Sequence, residues 1–207
     1  MSALLAIAVT TSVVPRLLLV QRTTRDVVSL GGRLTVNQQR FSLLDRMTGW
    51  GDAVHVELEG SRTRDQDVER LVESLSQLGS VKYLNLSGTG VTDGCLPSVA
   101  ELTGLSSLQL ANTRVRGHGF ERLQALKLLH EVNLDGTLID DAGVASLARI
   151  PNLTTLNIDN TNVTNEGVMH LSRLSGLETL SAANTGLTES GVLQLVESHP
   201  ELAIFDD

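Results

Sequence analysis

From about Val54 onward, apolar residues recur along the chain at a fixed step of 24. With one anchor per unit at Leu84, Leu108, Val132, Leu156 and Leu180, the position two residues on is Leu86, Leu110, Leu134, Ile158 and Ala182. Seven residues on come Val91, Val115, Ile139, Val163 and Leu187. Apolar positions two apart, with polar ones between, describe a short strand with one buried face. Later in each unit the spacing changes to three: Leu96, Val99, Leu102 and Leu105, then Phe120, Leu123, Leu126 and Leu129, then Val144, Leu147, Ile150 and Leu153. That spacing predicts a helical segment. Each unit therefore reads as a strand, a turn and a helical return.

The ends of the ladder depart from this step. An earlier unit begins at Val56 and Leu58 and takes 28 residues to reach Leu84. Its four extra residues fit one more helical turn, through Val68, Leu71, Leu75 and Leu78. At the other end Ser198 interrupts the helical column, Leu202 falls one place late, and the last unit reads as 25 residues ending at Phe205. The pattern predicts six units and a trailing strand over residues 54–207. Such units stack because none buries enough apolar surface alone to offset the entropy of ordering its backbone.

Polar residues fall into columns too. Thr89, Thr113, Thr137, Thr161 and Thr185 each lie five residues after an anchor, where a buried hydroxyl is expected to bond a backbone group in the turn. Thr92-Asp93, Asp140-Asp141, Thr164-Asn165 and Thr188-Glu189 stand at the helix entrance and are N-cap residue types. Gly119, Gly143, Gly167 and Gly191 follow, with Cys95 in the equivalent place. A small residue there predicts close packing of stacked helices, with Cys95 a buried thiol.

Val81-x-x-Leu84-x-Leu86-x-x-Thr89 and its successors match the unit LxxLxLxxN, with Thr where Asn is usual. On these residues the chain resembles the leucine-rich-repeat family. The form T-x-V-T-D-x-G-L, here Thr89-Gly90-Val91-Thr92-Asp93-Gly94-Cys95-Leu96, is similar to repeats abundant in planctomycete-type bacteria. The resemblance implies an α/β leucine-rich-repeat solenoid, a horseshoe with parallel strands on the concave face and helices on the convex face.

On such a concave face the residues between buried leucines point outward. These are His55, Glu57 and Glu59, then Tyr83, Asn85 and Ser87, then Ser107, Gln109 and Ala111. Glu131, Asn133 and Asp135, Thr155, Asn157 and Asp159, and Thr179, Ser181 and Ala183 complete the set. The candidate partner-binding residues are Glu57, Glu59, Tyr83, Asn85, Gln109, Glu131, Asn133, Asp135, Asn157 and Asp159. Within them, Glu131, Asp135, Asn157 and Asp159 are expected to set specificity. Asp135 and Asp159 occupy one slot in adjacent strands, about 4.8 Å apart, and like charges so placed call for a basic partner or a cation.

Residues 1–22 form an apolar N-terminal segment in which Ala3 to Val20 approaches the length of a bilayer span, interrupted by Pro15 and Arg16. Membrane anchorage and a soluble segment both fit. Arg16, Arg22 and Arg25 follow the apolar residues, which argues against a cleaved signal and would hold the repeats on the cytoplasmic side. A cytoplasmic protein, or one anchored in that orientation, is the expectation. Residues 23–53 read as a capping region: a helix from Thr24 to Leu30 stopped by Gly31-Gly32, a strand Arg33-Leu34-Thr35-Val36, a helical piece from Phe41 to Met47, and a turn at Gly49-Trp50-Gly51.

Composition narrows function further. A net charge of −8, with scattered Lys and Arg, excludes the clustered basic surface that nucleic-acid binding needs. One cysteine permits neither an intramolecular disulfide nor a paired-cysteine metal site. His55, Glu57 and Glu59 share one face and make a weak metal-ligand set, while the other histidines sit in unrelated slots. No nucleophile beside a base, Gly-rich phosphate loop or pair of acids in a cleft converges, so no catalytic residue, metal or cofactor is assigned. The expected function is a noncatalytic protein-protein interaction module. A structural or envelope-associated scaffold is the alternative, and a metal-dependent hydrolase at His55, Glu57 and Glu59 the less favoured one.

Overall fold

The computed structural model describes residues 18–37, 53–78 and 80–206. The first part of the apolar N-terminal segment, the helical piece from Phe41 to Met47 and the turn at Gly49-Trp50-Gly51 lie outside the described residues. Within them, no helix is long and apolar enough to cross a membrane.

One eight-stranded sheet runs through the molecule in strict chain order. Its strands are β1 (Arg33–Asn37), β2 (Ala53–Glu57), β3 (Ser80–Asn85), β4 (Ser107–Gln109), β5 (Glu131–Asn133), β6 (Thr155–Asn157), β7 (Thr179–Ser181) and β8 (Ala203–Phe205). β1 pairs antiparallel with β2, and every later pair is parallel. The anchors lie in one registered row, Val56, Leu84, Leu108, Val132, Leu156 and Leu180. Each is buried on the inner side of the sheet, in a single apolar cluster extending from Val27 to Leu202.

A helix over residues 18–29 (α1) precedes the sheet. It starts at least six residues before the expected Thr24, because Leu19 and Val20 continue its core-facing side while Thr23 and Val27, four apart, are fully buried. Gly31 stops it in the left-handed region (φ 88°), with Gly31 N donating to Val28 O and Gly32 N to Val27 O at 2.9 and 3.0 Å. This is the paired-bond helix stop that favours glycine. It turns the chain straight into β1, which covers the free edge of β2.

The helical returns are α2 (Asp65–Leu78), α3 (Leu96–Val99), α4 (Asp141–Leu147), α5 (Asn165–Met169) and α6 (Glu189–Ser198). Only α2 has the extra turn expected of the 28-residue unit, burying Val68, Leu71, Val72, Leu75 and Leu78. Elsewhere the returns are short and partly 3₁₀, as at Asp93–Cys95, Phe120–Ala125 and His170–Arg173. An apolar spacing of three matches the 3.0-residue turn of that helix better than the 3.6 of an α-helix.

The last unit corrects the sequence reading. Leu180 pairs with Ile204, so the step remains 24, and Phe205 is registered with Ser181 on the outer face, 59% exposed. One residue of register separates the two sides of a strand, and it sends Phe205 to solvent. The lateness of Leu202 is absorbed in the connection to β8. His199, not Ser198, fills the helical column: it is buried and its ring Nε2 lies 3.1 Å from the Leu174 carbonyl.

Candidate protein-binding face

The register of the sheet arranges the outward side chains in rows. One row is Thr35, His55, Tyr83, Ser107, Glu131, Thr155, Thr179 and Ala203; the next is Arg33, Glu57, Asn85, Gln109, Asn133, Asn157, Ser181 and Phe205. Glu59, Asp135 and Asp159 follow two residues beyond the second row. All ten sequence-assigned residues therefore belong to this side of the sheet or its adjoining turns, yet they divide into two groups with different employment.

In the C-terminal half the polar groups serve the fold. Asn133 Oδ1 accepts from Asp135 N at 3.0 Å, and Asn157 Oδ1 accepts from Asp159 N at 2.8 Å. Asn85 does the same for Ser87 N at 2.9 Å, so the asparagines of this column form the turns that leave β3, β5 and β6. Asp159 accepts from Ser181 Oγ at 2.8 and 2.9 Å and from Ala183 N at 2.7 Å. Asp135 accepts from Asn160 Nδ2, 2.6 Å away, and Asn160 Oδ1 accepts in turn from Asn184 Nδ2 at 3.1 Å. Donors from the following unit thus meet the charges that the sequence had set against each other.

The surroundings of Tyr83 are different. His55 and Tyr83 are neighbours across β2 and β3, with ring centroids 5.8 Å apart and planes inclined at 33°. Asn85 Nδ2 donates to Glu59 at 3.3 Å, and Gln109 Nε2 donates to Glu131 at 2.9 Å and to Ser107 Oγ at 3.1 Å. Glu57 lies 4.0 Å from Arg33, both side chains substantially exposed, a geometry of small energetic weight. The Tyr83 phenol is pushed above its ordinary value, first by burial and then by Glu57, Glu131 and Glu59, with the Asn85 side chain acting the other way. Three carboxylates direct their field at one ring.

His55, Glu57 and Glu59 do not converge as ligands: the first stacks on Tyr83, the second faces Arg33 and the third takes the Asn85 amide. No group of three His, Cys, Asp or Glu side chains among the described residues is placed to hold a metal ion.

Two further columns carry architecture. Four residues after each anchor the backbone is left-handed, at Gly60, Gly88, Asn112, Gly136, Asn160 and Asn184. Glycine and asparagine are the residues that accept this conformation, and their alternation down the column was the available signal. At the helix entrance, the paired N-cap types split their work. Thr92, Asp140 and Thr164 cap their own helices, whereas Asp65, Asp93, Asp141 and Asn165 reach across to the next unit. Gly167 is small because a Cβ there would sit 2.3 Å from Asp141 Oδ1. The five threonines behave as expected, each hydroxyl donating at 2.6 to 2.7 Å to the carbonyl three residues earlier.

The fold so described is a leucine-rich-repeat solenoid. Residues 149–172 match the leucine-rich-repeat family model. Internalin C2 from Listeria monocytogenes aligns over 72% of this chain and 69% of its own, with 22% identity and a TM-score of 0.55. A leucine-rich-repeat protein of Leptospira interrogans aligns over 64% of this chain at 19% identity and a TM-score of 0.52, and the alignment spans about a third (33%) of its length. At these identities the likeness concerns the fold. No curated protein sequence gives a significant match. Leucine-rich-repeat proteins generally bind protein partners and are typically noncatalytic.

Proposed function

We propose that this chain is a noncatalytic interaction module that binds a protein partner on its concave strand face, and that the part of that face around Tyr83, from Glu57 to Glu131, makes the contact. The observation that carries the reading is the division of labour between two sets of polar side chains on that face. Asp135, Asp159, Asn133 and Asn157 are occupied by hydrogen bonds that build turns and join units. Glu57, Glu59 and Glu131 act on the partly exposed Tyr83 ring, and their contacts are to side chains of this same outer face, Arg33, Asn85 and Gln109, rather than to backbone of a turn. An aromatic residue ringed by polar groups is the composition of an interaction hot spot. The repeat form T-x-V-T-D-x-G-L supports grouping the chain with the planctomycete-type bacterial repeats.

The test is Glu57→Lys combined with Glu131→Lys. The double variant keeps the circular dichroism and melting behaviour of the parent and loses the partners that the parent retains from a lysate. Undiminished capture by a folded double variant would move the contact to another surface.

A further inference from the structure

Resting on the reading of the concave face as a binding surface, we propose that its anchor is a site for one cationic side chain, arginine or lysine, presented by a partner polypeptide and seated against Tyr83 between Glu57 and Glu131.

The register builds the seat. Tyr83, Ser107 and Glu131 are successive members of one row, so the backbone positions that carry the ring and the carboxylate stand two strand spacings apart, roughly 10 Å. Between them Ser107 is small and buried, and the Gln109 amide spans it, so the surface beside the ring is low and polar rather than filled by a large side chain. Gln109 fixes the far flank, its amide nitrogen bonded to both Glu131 Oε1 and Ser107 Oγ. On the near side His55 lies against the ring, and Asn85 steadies Glu59.

The chemistry of this seat selects a cation. An aromatic face attracts a positive charge through its quadrupole, and carboxylates beside it add a Coulomb attraction of their own. Along the two registered rows Arg33 is the one arginine or lysine among the described residues; its side chain is 78% exposed and only touches Glu57 at 4.0 Å, so it stands at the rim of the seat. An acidic partner would meet three carboxylates without relief. The cation must also be part of a larger chain: on an open strand face a small amine buries too little surface to offset the freedom it loses, whereas a polypeptide spreads that cost over neighbouring contacts.

Tyr83 is the only tyrosine in the chain, so ring-labelled tyrosine gives a single NMR signal at the site. The full chain is titrated with acetylated hexa-arginine, and in parallel with a glycine-serine peptide of equal length. Hexa-arginine is expected to move the Tyr83 resonance saturably and to lower the phenol pKa by offsetting the carboxylate field, while the neutral peptide does neither. Glu57→Gln with Glu131→Gln preserves side-chain shape and the Gln109 contact, and should weaken the hexa-arginine response by about ten-fold or more. No saturable shift, or an equal shift in the double variant, overturns the cationic anchor. A face that still captures its partner without responding to hexa-arginine would retain the interaction reading and remove only this inference.

Discussion

Asp141 and Thr164 are joined twice across the boundary between two units: the Thr164 amide donates to one carboxylate oxygen at 2.7 Å, and its hydroxyl donates to the other at 2.7 Å. Asp65 holds Thr92 in the same way, at 2.8 and 2.6 Å. The acid at a helix entrance thus does more than complement its own helix. It fixes the turn of the following unit, in a solenoid whose cohesion is otherwise the burial of leucines between layers.

Removing that bridge has a calculable direction. Asp141→Ala abolishes two hydrogen bonds to a charged acceptor and should cost about 1 to 2 kcal/mol. Asp141→Asn should cost much less. Asn165 already works as an amide one unit later, accepting from Thr188 N at 2.9 Å and donating to Thr188 Oγ1 at 2.8 Å. Urea denaturation of the three proteins checks the order; equal losses for Ala and Asn would show that charge, and not the paired geometry, does the joining.

The third unit breaks this column, and restoring the column should make matters worse. Gly117 stands where Asp93 and Asp141 stand in their units, and it carries no side chain to bridge with. Its φ is +91°, and an added Cβ would meet Gly143 Cα at 2.7 Å. Gly117→Asp therefore combines backbone strain with collision against main chain and is expected to destabilise by about 1 to 3 kcal/mol. A raised melting temperature for this variant would contradict the geometry.

These cases mark what the sequence could and could not convey. The anchors and the five threonines were readable because burial and turn chemistry repeat at fixed positions, and register follows from them. Phe205 was misplaced because Leu177 leads Leu180 by three residues while Leu202 leads Ile204 by two, a change in a connection that apolar spacing does not weigh. The donors that meet Asp135 and Asp159 were not legible, because Asn160, Ser181 and Ala183 lie 22 to 25 residues further on and are brought close only by stacking. The pairing of His55 with Tyr83 was within reach, since the 28-residue first step puts them side by side.

The threonine column allows a separation of shape from hydrogen bonding. Thr137 is buried, and its hydroxyl donates to the Leu134 carbonyl at 2.7 Å. Thr137→Val retains the branched shape and loses the donor, which should cost about 1 kcal/mol. Thr137→Ser retains the donor and loses a methyl group in contact with the core, at roughly 1 kcal/mol as well. The two differ in hydrogen exchange: the Val variant alone should speed exchange of the Thr137 amide, which shares the Leu134 carbonyl at 3.1 Å. Identical exchange in both would mean the hydroxyl contributes only bulk.

Cys95 gives the chain a pH dependence whose sign can be worked out. The thiol is fully buried, and burial first, then Asp65 and Asp93, push its pKa from 9.0 up to about 12. Unfolding returns it toward the ordinary value. Between those pH values the folded chain holds a proton that the unfolded chain releases, so stability falls as pH rises. The contribution is complete below pH 9.0 and is lost as pH climbs to about 12. Tyr83, also raised, slopes the same way, so the wild type alone does not isolate the thiol. Cys95→Ala does, and Gly143, Gly167 and Gly191 in the equivalent place show that a small residue fits there. Urea midpoints taken on both sides of pH 9.0 should decline more steeply in the parent than in Cys95→Ala. The loss of thiol volume shifts the variant's whole curve and leaves the slope comparison intact. Parallel slopes would mean that the thiol titrates equally in the folded and unfolded chain, which a side chain sealed between two units should not do.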